Sequence, residues 1–370
     1  MSDELYEKLA DIFIQIGFGG RKSPELDALL KSLFNEEEAR VALNLSPFAP
    51  ESPGEVAERL GRDPGQIAAL LNAMADKGLI YSSIRNHEKW YKLIQLVPGI
   101  FELQFMKGEY TERARELARL FDAYSHAPAA RREDISPIEE QQRRSSGQGV
   151  HFARVIPIEE TVASGINVFP FETARKYVDE AETITVSTCY CRHEQRLLER
   201  GCDFPDDVCL QFGSFAKFVK ERGFGREISK KEAHDIIKKS AEAGLIHTSS
   251  NTADRIDFIC NCCTCCCGIL RGVSHLSAPV RTVSSNYEIT LDPDECTGCG
   301  ECVDRCQMEA ITLTDDTPDL NLDRCIGCGV CVYHCPSNAL SLVVRTDFIE
   351  PPRTFKELQE RQFSSRAGRQ

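Results

Sequence analysis

Eight of the chain's eighteen cysteines fall in two runs of one pattern: Cys296, Cys299, Cys302 and Cys306, then Cys325, Cys328, Cys331 and Cys335. Both read Cys-x2-Cys-x2-Cys-x3-Cys, and Pro336 follows the second run. Three thiolates folded around one tight loop suit the corners of an iron–sulfur cube. Zinc is the alternative for paired cysteines, but four ligands complete a zinc site and leave the third cysteine of each triplet without a task.

The flanks repeat with the cysteines. Asp294 and Asp323 each stand two residues ahead of a run, and the apolar stretches 309–313 (EAITL) and 338–342 (NALSL) follow at the same offset of 29 residues. A constant period implies a duplicated structural unit. Over 286–346 these residues resemble the bacterial two-cluster ferredoxin family. The resemblance implies two [4Fe-4S] clusters, one held by Cys296, Cys299, Cys302 and Cys335 and the other by Cys325, Cys328, Cys331 and Cys306, because in that family the fourth cysteine of each run serves the other cluster. Gln307 departs from the family, which usually has proline after the fourth cysteine.

The other ten cysteines lie upstream: Cys189, Cys191, Cys202, Cys209, Cys260, Cys262, Cys263, Cys265, Cys266 and Cys267. Thiols at this density are a liability unless metal or redox chemistry uses them. A central metal site drawn from Cys189, Cys191, Cys202, Cys209, Cys262, Cys263, Cys265 and Cys266 has three readings. It could hold a further iron–sulfur cluster that extends an electron chain. It could hold structural zinc, although the Cys-x2-Cys knuckles usual for zinc are absent. It could also be a dithiol pair or a set of unliganded thiols. Alternate side chains of an extended segment face opposite ways, so Cys260, Cys262 and Cys266 should part from Cys263, Cys265 and Cys267. The segment resembles cysteine-rich regions upstream of ferredoxin modules in iron–sulfur proteins of anaerobes. His193 and His247 lie nearby, but a histidine beside a metal motif is more often a core or solvated residue than a ligand. Arg192, next to Cys191, is placed to offset cluster charge.

These thiols must be positioned by a chain of 370 residues, 42% hydrophobic and 27% charged, long enough for several domains. The reading is α+β and multidomain: a helical, winged-helix-like domain over 1–126, a linker over 127–155, a cysteine-rich α/β middle domain over 156–280, the two-cluster module over 286–346, and a tail over 347–370. Residues 54–61 and 65–78 read as two helices around a turn, with Ile67, Leu70, Leu71 and Met74 on the inner face of the second. A hairpin pattern follows, and the whole resembles winged-helix domains. Gln66, Asn72 and Asp76 face outward on that second helix, and Lys77 is its one basic residue, so phosphate-neutralising charge is sparse and DNA binding is disfavoured against protein docking. Residues 111–124 predict an amphipathic helix. Ser229 and Glu232 are spaced as a capping box, and Gly244 should stop the helix they open.

The opening residues carry acids where a secretory signal needs bases, and no run of apolar residues is long enough to span a bilayer, which predicts a cytoplasmic protein. Cysteine usage of this kind points to metal or redox chemistry in an anaerobic cell rather than to disulfides. Of the net charge of −13, most sits in 287–347, where twelve acidic residues face three arginines. Such a patch steers redox partners with a basic docking face. The sequence therefore predicts an iron–sulfur electron carrier or oxidoreductase subunit, with no membrane insertion. The alternatives are a redox-sensing transcription regulator that uses the winged helix, and an oxidoreductase with its active site at the central cysteines.

Overall fold

The computed structural model describes residues 2–17, 22–127, 152–358 and 360–361. Nearly all of the linker expected over 127–155 lies outside the described residues, as does the end of the tail from 362. The chain forms two compact units: 1–143 with 188–201 and 218–225, and 144–187 with 202–217 and 226–370. The first unit thus takes two segments from the region read as the middle domain, and the second holds the rest of that region with the duplicated cysteine module.

Among the described residues the first unit carries, before its two later segments, the helices α1 (Ser2–Ile16), α2 (Pro24–Leu33), α3 (Glu36–Ala42), α4 (Pro53–Leu60), α5 (Pro64–Asp76), α6 (Phe101–Phe105) and α7 (Glu112–His126). Ser52 caps α4 with a full capping box and Asp63 caps α5, so the turn 61–63 stops one helix and starts the next, helped by Gly61 at φ +62. Ile67, Leu71 and Met74 are buried along α5, as their spacing requires, and Leu70 is half-buried. The hairpin follows as β1 (Ile80–Arg85) and β2 (Glu88–Leu93), paired antiparallel with Arg85 opposite Glu88. Helix α7 buries Ala114, Leu117, Ala118 and Phe121 and is capped by Thr111.

The outer face of α5 is engaged within this unit. Arg222 is buried, and its guanidinium donates to Asn72 Oδ1 at 3.0 Å, to Asp76 Oδ1 at 2.6 Å and to Ser82 Oγ at 2.8 Å. Lys89 donates to the same Asn72 side chain at 2.8 Å.

The second unit is built on a six-stranded sheet ordered β3-β7-β8-β5-β4-β6. Its strands are β3 (Ala153–Val155), β4 (Ile184–Thr188), β5 (Asp207–Phe212), β6 (Arg226–Glu227), β7 (Ile246–Ser250) and β8 (Phe258–Cys262). Strands β7 and β8 are buried along nearly their whole length, polar His247 and Asn261 included, and so show no alternation of buried and exposed residues. The helix Lys230–Glu242 lies beside the sheet; Ser229 accepts from the Glu232 N–H at 3.1 Å, but the Glu232 carboxylate turns to Arg226 at 2.6 Å, so only half of the predicted box forms. Gly244, at φ +84, ends it.

The cysteine module follows with β9 (Tyr287–Leu291), β10 (Ile311–Thr314), β11 (Thr317–Leu320) and β12 (Leu340–Val344). Strand β9 pairs with β12 and β10 with β11, and the registers are copies: Leu291 faces Leu340 as Leu320 faces Ile311. Each sheet joins the first strand of one half to the last strand of the other, so the halves interlock. The described tail binds along the unit, with the Ala253 and Asp254 N–H groups donating to the carbonyls of Pro352 and Arg353.

Candidate metal centres

Each cysteine run wraps a loop that only glycine can shape. Gly298 and Gly327 sit at φ +67 and +66, Gly300 and Gly329 at +79 and +82, and a short helix follows each, Glu301–Arg305 and Val330–Tyr333. A Cβ on Gly298 would stand 2.7 Å from the Asp316 carbonyl oxygen, and on Gly327 only 2.1 Å from that of Tyr287. The fourth cysteines repeat as well: the Cys306 N–H donates to the Val303 carbonyl at 3.2 Å and the Cys335 N–H to that of Val332 at 3.0 Å.

Thiols from different runs meet. One small cavity is lined by Cys296, Cys299 and Cys302 of the first run with Cys335 of the second. Cys331 feels Cys328, Cys306 and Cys325, the other thiols of the second set, and after them Cys302 of the first. Backbone donors point at the crossing sulfurs. The Ala310 N–H donates to Cys306 Sγ at 3.2 Å. Burial works to raise the Cys335 thiol, but the Ser337 hydroxyl and the N–H groups of Leu340, Ser337 and Ala339 outweigh it and hold the thiol below its ordinary value. Burial pushes the Cys328 thiol up to about 12, and that of Cys331 well above its ordinary value. Soft thiols in a buried pocket with N–H groups aimed at sulfur fit an iron–sulfur cube, whose potential such hydrogen bonds tune.

The two sets differ in access. Cys299 is exposed and Cys296 and Cys335 half-buried, whereas Cys325 and Cys331 are buried. The second loop is further closed by a strap that sequence reading did not find: the Ile158 N–H donates to the Cys328 carbonyl at 3.1 Å, and the Thr161 hydroxyl packs against Gly329. No motif marks the strap, because its bonds are made by backbone.

The central cysteines separate into groups. Cys202, Cys263, Cys265 and Cys266 bring their sulfurs within 4.8 Å of one another, with 3.8 Å from Cys202 to Cys263 and 3.6 Å from Cys202 to Cys266. Cys262 instead shares hydrogen bonds with Cys260 and Cys267, and its thiol lies 3.3 Å from Thr248 Oγ1. The expected alternation holds along β8 but assigns Cys266 and Cys267 the wrong way round, because the chain leaves the strand at Cys263 and turns through 264–266. Cys209 is buried on β5. Cys189 and Cys191 belong to the first unit, where Cys189 opens the helix Tyr190–Leu197 and is buried.

Among the described residues the group of four sulfurs includes no histidine. A His193 ring nitrogen lies 2.9 Å from the Glu109 carbonyl oxygen, and the ring packs edge-on to Tyr110. His247 is buried against Asn261, and burial lowers its pKa. Arg192 is completely buried. Burial and then bonding to Cys263 push the Cys265 thiol up to about 12, while bonding to Cys263 and then burial raise Cys266 further.

Gln307, the departure in the first run, joins this region to the module. Its Oε1 accepts from the Thr264 N–H at 2.9 Å, and its Nε2 donates to the Gly244 carbonyl at 2.5 Å. Proline could do neither.

Comparison with known proteins bears on one end of the chain. Residues 295–339 match the 4Fe-4S dicluster domain. Over 29 residues, 8% of this chain, the sequence is 59% identical to Ferredoxin-3 of Desulfocurvibacter africanus, and the match spans 48% of that protein's length. No solved structure matches the chain. Among the described residues no helix is long and apolar enough to cross a membrane. The C-terminal part of the chain is a ferredoxin-like iron–sulfur module.

Proposed function

We propose that the chain is an electron-transfer protein that relays low-potential electrons between cytosolic redox partners through two [4Fe-4S] clusters. Cys296, Cys299, Cys302 and Cys335 hold the first; Cys325, Cys328, Cys331 and Cys306 hold the second. The observation that carries this reading is the cavity where three thiols of the first run meet Cys335 of the second, the crossing that a two-cluster module requires. The first cluster, beside exposed Cys299, is the point of exchange with partners. The acidic residues of 287–347 favour partners that dock with a basic face, at a rate that falls as salt rises.

The helix–turn–helix and hairpin of the first unit serve as a winged-helix-like docking domain. Arg222 and Lys89 already engage Asn72 and Asp76, polar groups that a base-reading face of α5 would need, and this weighs against the transcription regulator. Anaerobically reconstituted full-length protein tests the proposal by iron and sulfide content and by electron paramagnetic resonance after reduction. About eight irons per chain in the module and two interacting reduced clusters are expected; about four irons per chain or fewer would overturn it.

A further inference from the structure

We infer that Cys202, Cys263, Cys265 and Cys266 bind a single zinc ion in tetrahedral geometry, a centre separate from the ferredoxin-like module. The inference does not rest on the electron-transfer reading.

The spacing of the sulfurs decides between one ion and a cube. Four sulfurs about 2.3 Å from one tetrahedral ion stand about 3.8 Å from each other. The separations of 3.8 Å for Cys202 and Cys263 and 3.6 Å for Cys202 and Cys266 match that figure, and all four sulfurs lie within 4.8 Å. In a cube each thiolate binds a different iron, so the four must stand farther apart. The molecule supplies its own control: among the described residues the eight thiols of the module form no group this tight.

The sheet explains why ligands so far apart in sequence meet. Strands β5 and β8 run antiparallel with Leu210 opposite Ile259. The start of β5 therefore lies beside the end of β8, and Cys202, ahead of β5, arrives at the turn 263–266. That turn breaks the strand alternation and points three nearby thiols one way. Cys263 and Cys266 are buried, Cys202 is half-buried and Cys265 is exposed, so the ion has a path in from solvent. Binding exchanges thiol protons for the cation. Zinc is the occupant because a given thiolate site prefers it to ferrous iron, and because it accepts the four-sulfur tetrahedron without strain. With four protein ligands no position is left open for substrate, so the role is structural. The ion pins the loop whose Thr264 N–H holds Gln307, the residue after Cys306.

The test is metal analysis of the anaerobically purified full chain, paired with X-ray absorption at the zinc edge and with the double variant Cys263→Ser/Cys266→Ser. The expected result is one zinc per chain with sulfur as its only close neighbour at about 2.3 Å, and loss of that zinc in the variant with iron and sulfide unchanged. The absorption measurement on the unaltered chain covers the case in which the variant does not fold. Absence of zinc, nitrogen or oxygen neighbours at the zinc, or loss of about four irons with sulfide in the variant, would each overturn the inference. Failure of the two-cluster proposal shows instead as missing iron while zinc stays in place.

Discussion

The ferredoxin-like module and the central thiol group solve opposite problems with one side chain. In the module, cysteines at a fixed spacing lie on glycine-shaped loops that occur twice, and the crossing of the fourth cysteines follows the crossing of the strands. In the central group, Cys202 stands 61 residues from Cys263, and no spacing links them. One site is written locally and repeated; the other exists only once β5 and β8 have paired. Cysteine density therefore says little about which metal is held, whereas the separation of the sulfurs says a great deal.

Removing a ligand should sharpen this contrast most. Cys331→Ala is expected to cost about half of the module's iron and to leave the zinc, measured by metal content of the full chain. Loss of zinc along with the iron would merge the two sites into one cooperative centre.

Next come the loop glycines. Gly327→Ala forces an alanine to φ +66 with its Cβ 2.1 Å from a backbone oxygen, while Gly298→Ala meets one at 2.7 Å. Both should destabilise by at least the 1–3 kcal/mol typical of a strained left-handed residue, roughly, with Gly327→Ala the worse. Thermal unfolding under anaerobic conditions ranks them. Equal effects would mean that the closer approach of the Tyr287 carbonyl to Gly327 adds no constraint.

Gln307→Ala removes both bonds that tie the module to the Thr264 loop, at a cost of about 1–3 kcal/mol. Gln307→Pro should cost at least as much, although it restores the residue usual in two-cluster ferredoxins. A neutral or stabilising Gln307→Pro would show that the bridge does not matter.

The smallest effect concerns pH, away from every thiol. Burial raises the Glu172 carboxyl to about 7, against the Asn286 N–H and the Arg154 guanidinium, which both favour the charged form. Its folded value lies above the ordinary value of 4.5, so its contribution to stability is full below that value and is lost as pH rises through about 7. The unfolding temperature of the native chain should therefore fall by roughly a few degrees between pH 5 and 8 relative to Glu172→Gln. Parallel curves would refute the raised carboxyl.

Much was legible in the residues themselves. The helices expected over 54–61, 65–78 and 111–124 form, Ser229 marks a real helix start, and the inner face of α5 is the one its spacing requires. Glu232 shows the limit: a capping box is a local signal, and a nearby Arg226 draws its carboxylate away. The outer face of α5 shows another, since nothing near residue 72 announces that Arg222 will be folded against it.

By itself the sequence determined the chemistry of the C-terminal module and its twofold character, because three ligands within seven residues and a constant offset between halves are local, repeated constraints. Tertiary structure alone decided how the other ten cysteines divide. Strand register brings Cys202 to the end of β8, and a turn sets Cys266 beside Cys263 and sends Cys267 to Cys260 and Cys262. Neither register nor turn direction can be read from which residues are cysteine.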